Sequence, residues 1–106
     1  MVQMTDIQAV SDRIAREFQP DRIVLFGSHA MGCASADSDV DLLVVMPYQG
    51  HGARQAVEIL NRVRPDIPVE LVVRTPQQMR ERLAQQDYFL RDIVDQGKVL
   101  YAAAHS

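Results

Sequence analysis

The stretch Arg22–Met46 constrains this chain more than any other. It reads Arg22-Ile-Val-Leu-Phe-Gly-Ser28, a ten-residue spacer, then Asp39-Val-Asp41-Leu-Leu-Val-Val45-Met46. The two apolar runs predict strands over Arg22–Phe26 and Asp39–Met46, and the Gly-Ser pair predicts a turn out of the first. From Leu42 to Met46 the second run is apolar at every position, the pattern of a strand covered on both faces. Residues i and i+2 of a strand share a face, so Asp39 and Asp41 are expected to project side by side. Two acids at the mouth of a buried strand are costly unless something positive lies between them. A divalent metal meets that requirement.

The flanking chain predicts the remaining elements. Thr5 is expected to cap a first helix, with Gln8 completing a capping box and Ile7, Val10, Ile14 and Phe18 on its apolar face. Pro20 ends it. Residues 29–38 read as a loop that begins with one helical turn, stopped by Gly32. Past Pro47, Ala53, Ala56, Val57, Leu60 and Val63 predict one face of a helix that ends before Pro65. Val69–Arg74 predicts a third strand, and Thr75-Pro76 an N-cap followed by proline at the first helical position. Met79 and Leu83 face inward from that helix. A last helix, Asp87–Gln96, turns Leu90, Ile93 and Val94 inward and stops at Gly97. Lys98–Tyr101 predicts a short edge strand, and residues 102–106 are expected to fray. The order α-β-turn-β-α-β-α-α predicts an α/β (α+β) fold with a small sheet, one domain over 1–106 with a core from about 5 to 101.

Composition removes several function classes. The net charge is −3, with acids and bases interleaved, which lacks the basic stripe of a nucleic-acid binder. No run has the length of apolar residues needed to span a membrane. The start, Met1-Val-Gln-Met-Thr-Asp6, lacks the basic-then-apolar pattern of a secretory signal. The single cysteine, Cys33, excludes an internal disulfide and reads as an incidental thiol. The expected location is the cytoplasm.

Candidate site residues cluster around the opening stretch. Gly27 lets the backbone approach a ligand, and Ser28 offers a hydroxyl where free N–H groups of a helical turn attract an anion. Ser28 can equally be a plain cap. The spacing Gly-Ser-x10-Asp-x-Asp therefore reads as phosphate cradle, loop and metal ligands. Glu70 is the one acid inside the apolar run Val69–Val73; it either pairs with Arg74 on its own face or belongs to the site. Asp39 could serve a turn with Asp37 and Ser38, whereas Asp41 lies inside the strand and escapes that reading. His29, beside the phosphate loop, reads as an exposed loop residue, and His51 and His105 as surface residues. Arg62, Arg64, Arg80 and Arg82 read as solvated helix faces, with a partner-docking face as the alternative.

Leu25-Phe-Gly-Ser28, the spacer and Ser38-Asp-Val-Asp-Leu-Leu-Val44 resemble the signature of the DNA polymerase β-type nucleotidyltransferase superfamily. More narrowly, the chain is similar to the minimal nucleotidyltransferases from its first helix to Gly97-Lys-Val-Leu-Tyr101. That resemblance implies a mixed sheet and a transfer of AMP from ATP to a hydroxyl with two Mg²⁺ ions. It implies that Asp39, Asp41 and Glu70 are the catalytic metal ligands, Glu70 standing one methylene longer than the usual Asp. It also implies that Gly27 and Ser28 hold the β- and γ-phosphates. Family members often carry Arg at the first and third positions after Gly-Ser; His29 and Met31 stand there, so two cations are missing. Arg74 and Lys98 are the candidate replacements.

As for partners, the resemblance implies a small helical HEPN (higher eukaryote and prokaryote nucleotide-binding) protein. In such toxin–antitoxin pairs the transferase adenylylates a tyrosine of the toxin. The alternatives are an antitoxin of the same fold that acts by binding alone, and transfer to a small molecule such as an aminoglycoside, which needs a partner chain or a homo-oligomer to complete the pocket. Nucleic acid ranks last as acceptor.

Overall fold

The elements run α1 (Met4–Phe18), β1 (Arg22–Phe26), α2 (Ser28–Met31), β2 (Val40–Val45), α3 (Gly52–Val63), β3 (Val69–Arg74), α4 (Pro76–Ala84), α5 (Tyr88–Gln96) and β4 (Lys98–Ala102) in the computed structural model. The structure describes residues 2–104. The sheet order is β3-β2-β1-β4. β1 leads through a short turn and loop into β2 and pairs with it antiparallel; β2 reaches β3 through the crossover helix α3 and pairs with it parallel. The sheet is therefore mixed, with β4 added antiparallel to the free side of β1.

Alternation along β2 builds the two cores. Val40, Leu42, Val44 and Met46 pack with Ile7, Val10 and Ile14 of α1 and with Ile59 and Val63 of α3. Leu43 and Val45 pack on the other face with Leu90 and Ile93 of α5, bordered by Met79 and Leu83 of α4. Both faces of β2 are covered, as its unbroken apolar run demands. Asp41 has the parity of Leu43 and Val45, so it belongs to the α4/α5 face.

Several boundaries follow local chemistry closely. Thr75 caps α4 as expected, accepting from the Gln78 N–H at 3.0 Å while the Gln78 side chain accepts from the Thr75 N–H at 3.0 Å. Gly97 ends α5 in extended backbone, and its missing side chain matters for packing: a Cβ there would meet the Ile93 and Leu25 carbonyls and the Val24 side chain. α1, however, begins before Thr5. Gln3 is its cap residue, and the Asp6 carboxylate accepts from the Gln3 N–H at 2.9 Å. An acid in the first turn satisfies an orphan donor and suits the helix dipole, which moves the start upstream.

Two helix faces differ from the sequence expectation. In α3 the buried stripe is Ile59 and Val63, with Ala56 beside them, and Val57 is 56% exposed. Both stripes have helical spacing; the helix rolls to bury the two β-branched side chains four residues apart. In α5, Leu90 and Ile93 are buried while Val94 stays largely in water. The expected fraying also begins too early, since Ala102 closes β4 and the Ala103 N–H bonds the Asp21 carbonyl at 2.9 Å. Residues 105 and 106, including His105, lie outside the described residues. Arg62 is not simply solvated: its guanidinium lies 5.0 Å over the Phe18 ring and joins α3 to α1.

The α3 assignment has a direct consequence for stability. Ile59→Ala should cost about 2–5 kcal/mol by opening a cavity under the sheet. Val57→Ala should stay within about 0.5 kcal/mol. Urea-denaturation midpoints of the two variants decide between the stripes, and a larger loss at Val57 would restore the sequence expectation.

Candidate active site

Register brings the site together. Asp41 is the strand partner of Phe26 on β1 and of Glu70 on β3. Directly opposed residues share a face, so Glu70, Asp41 and Phe26 form a row on the α4/α5 side. The row lies where β1 ends and β2 and β3 begin. Asp41 is half-buried and Glu70 is exposed. Asp39 stands one residue outside β2, not within it as expected, and is exposed.

The acids act on one another. The Asp41 carboxyl is pushed above its ordinary value by burial first, then by the negative charges of Glu70 and Asp39 and a side-chain hydrogen bond with Glu70. A positive charge on His29 works in the opposite direction. Among the described residues none of the three acids has an ion-pair partner, the one salt bridge being Arg82–Asp87 at 3.7 Å. The alternative pairing of Glu70 with Arg74 is therefore not what the fold makes. Arg74 lies at the far end of β3, opposite Val45, and donates to the Val73 carbonyl at 2.9 Å.

Gly27 closes the site on the β1 side. Its φ of 76° lies in the region that favours glycine, and a Cβ would fall on an Asp41 carboxylate oxygen. Ser28 then opens the four-residue turn α2, in which the Ala30 and Met31 N–H groups bond the Gly27 carbonyl at 3.1 Å each. The Ser28 and His29 N–H groups are first-turn donors with no intrahelical acceptor. Gly32 ends the turn in left-handed backbone, as expected.

Three residues fall differently from the sequence reading. His29 is half-buried rather than an exposed loop residue, and its Nε2 lies 3.3 Å from the Ser38 carbonyl, tying the turn to the residue before Asp39. Its place directly after Gly-Ser was the available signal. Lys98 pairs with Leu25, whose side chain belongs to the α1/α3 core, so Lys98 takes the face opposite Asp41. Arg74 is about 13 Å along β3 from Glu70, four residues at strand rise. Neither cation replaces the missing arginines.

Among the described residues no three His, Cys, Asp or Glu side chains converge closely enough to hold one ion. The strand register joins Asp41 to Glu70 and leaves Asp39 as a neighbour whose charge reaches Asp41. The donor set is nonetheless suited to a hard divalent cation, being carboxylate oxygen throughout, and its unrelieved like-charge contact is what such an ion neutralises.

A Gly-Ser turn leaves one strand of a small mixed sheet, and acids stand near the start of the next two. The chain belongs to the nucleotidyltransferase domain family, whose model matches residues 7–100. Its fold is similar to that of a candidate nucleotidyltransferase from Sulfolobus solfataricus, with a TM-score of 0.57 and 19% identity over 73% of this chain and 70% of that one. It is also similar to a chain from a toxin–antitoxin structure with AMP-PNP, with a TM-score of 0.54 and 25% identity over 91% of this chain and 73% of that one. No protein of curated function matches the chain.

The Asp41 environment sets a pH signature. A carboxyl raised in the folded state costs stability while charged, and that cost fades as pH falls through its folded value and is gone below about 3.9, the unfolded value. Asp41→Asn should therefore melt higher than the native chain at neutral pH without divalent ions, and the gain should vanish in acid. Thermal melts of both proteins across that range check it; a lower melting point for the variant at neutral pH contradicts it.

Proposed function

We propose that this chain transfers AMP from ATP to a hydroxyl of a partner protein, and that the acceptor is a tyrosine of a helical HEPN toxin which it thereby neutralises. The observation that carries the reading is the strand pairing of Asp41 with Glu70 beside the Gly27 backbone. Membership of the nucleotidyltransferase family supports the reaction type. The likeness to a toxin–antitoxin structure with AMP-PNP supports a protein partner and an adenine nucleotide. No helix among the described residues is long and apolar enough to cross a membrane, and we place the reaction in the cytoplasm, where ATP and Mg²⁺ are supplied.

In this reading Asp39, Asp41 and Glu70 would hold two Mg²⁺ ions. Those ions supply charge neutralisation of the triphosphate and of the acids themselves. The chain's residues do the positioning. Ser28 and the free N–H groups of α2 hold the β- and γ-phosphates, and Gly27 lets them approach Asp41. Glu70, on the opposite side of Asp41, receives the acceptor hydroxyl and favours loss of its proton. The acceptor oxygen bonds the α-phosphorus, the bond to the β-phosphate oxygen breaks, and pyrophosphate leaves in line.

A second reading rests on a specific observation. His29 is committed to the Ser38 carbonyl and Met31 is 60% exposed, so the phosphate side lacks side-chain cations. That arrangement suits an antitoxin that binds its toxin without transferring anything.

Two experiments separate them. Mg²⁺ should raise the melting temperature of the native chain, in proportion to the logarithm of its concentration, and leave Asp41→Asn unmoved. An Mg²⁺ shift of equal size in both proteins places the ion elsewhere. Incubation with α-labelled ATP, Mg²⁺ and the helical protein encoded beside this chain should label that protein on tyrosine. Asp41→Asn should reduce labelling by about 100-fold or more. No label, together with full neutralisation by an Asp39→Asn/Asp41→Asn variant, leaves the binding-only reading standing.

A further inference from the structure

Phe89, in the first turn of α5, is 52% exposed and belongs to neither buried cluster. The core closes on that helix around Leu90 and Ile93 without it. Its ring has one aromatic neighbour. Its centroid lies 5.8 Å from that of Phe26, with the two planes at 89°, an edge-to-face contact that favours one setting of the side chain. Phe26 is the strand partner of Asp41 and the residue directly before Gly27. An oriented aromatic surface therefore stands in water beside the carboxylates, on the same face of the sheet.

The stereochemistry of in-line transfer gives that surface an occupant. At the α-phosphorus the entering and leaving oxygens lie opposite one another. Here they align with the row of strands, the acceptor at Glu70 on β3 and the departing phosphates at the Gly27–Ser28 turn after β1. The ribose is attached off that axis. Off the axis lie, past the strand ends, the α2 turn with exposed Met31 and, across the face, the α5 layer that Phe89 leads. The second direction offers an aromatic face for a flat heterocycle, which Met31 does not.

We propose that Phe89, braced by Phe26, is the platform on which the nucleotide base stacks. The assignment rests on the nucleotidyl-transfer reading and gives that reading its base subsite. Stacking tolerates any base with a π face, so Phe89 supplies affinity for the nucleoside without selecting adenine over guanine.

Calorimetry on the full chain with Mg²⁺ and two probes, ATP and inorganic tripolyphosphate, tests it. Phe89→Ala should weaken ATP about tenfold and leave tripolyphosphate within about twofold of native. Phe89→Leu keeps apolar bulk without a ring and should behave like the Ala variant, while Phe89→Trp should bind ATP at least as well as native. ATP affinity unchanged in Phe89→Ala overturns the assignment, even where Phe89→Ala weakens binding of the toxin partner. Parallel loss of both probes overturns it too, because the ring then only props the phosphate turn, and native affinity in Phe89→Leu reduces the role to bulk. If the native chain binds tripolyphosphate but holds ATP no more tightly, the subsite alone falls. If it binds neither probe, the transfer reading falls with it.

Discussion

The parallel register of β2 on β3 places Asp41 directly beside Glu70, and the rest of the site depends on that juxtaposition. The two carboxyls repel when both are charged, and the packing of β2 is what holds them together. Val40, Leu42, Leu43 and Val44 are all buried, and each such side chain contributes about 1.5–3 kcal/mol. Two like charges about 4 Å apart at a protein surface cost about 1–4 kcal/mol between the aqueous and interfacial limits. A slip of one residue would relieve the repulsion but exchange the side chains that fill the two cores and carry Asp41 into the α1/α3 core. Packing wins, and the acids are held where they repel.

The connection from β1 to β2 then fixes what stands next to them. Antiparallel pairing returns the chain so that the end of β1 meets the start of β2, Phe26 against Asp41. The next residue leaves β1 in positive-φ backbone against the Asp41 carboxylate, which is the physical reason for Gly27. The helical turn that follows is anchored at both ends, by Gly32 closing it and by His29 reaching the Ser38 carbonyl. The spacer is thus tied back to the strand it precedes, and first-turn N–H groups stay beside the acids.

Much of this was legible in the chain because its punctuation is strong. Pro68, Thr75 and Pro76 frame β3 so tightly that Val69–Arg74 matches residue for residue. Asp41 and Glu70 stand out because acids inside apolar strands demand a reason. What failed were questions of face and of capping partner. Ile59 and Val57 both lie on helical stripes, and only the packing of α3 against the sheet and α1 chooses between them. Lys98 looks available as a cation until its register partner Leu25 puts it on the opposite face. Phe26 and Phe89 lie sixty-three positions apart, so no spacing rule could pair them. Asp39 reads as a strand residue because Val40 follows it, yet pairing starts one residue later.

The placement of the cations also changes how a nucleotide would be held in the proposed reaction. A guanidinium presents five donors in a rigid fork that fits phosphate oxygens, whereas an imidazole has at most two N–H groups to give. His29 has one ring nitrogen committed to the Ser38 carbonyl, so little of it remains for a phosphate. Met31, at the other expected arginine position, offers none. The triphosphate charge must then be balanced by metal ions and by backbone N–H groups rather than by side chains. Carboxylates left in uncompensated contact are suited to that division of labour, because they bind a cation more strongly for having no arginine nearby to satisfy them. On this argument the missing arginines and the unrelieved Asp41–Glu70 contact are one feature of the site, which leaves nucleotide affinity to stand or fall with the ion.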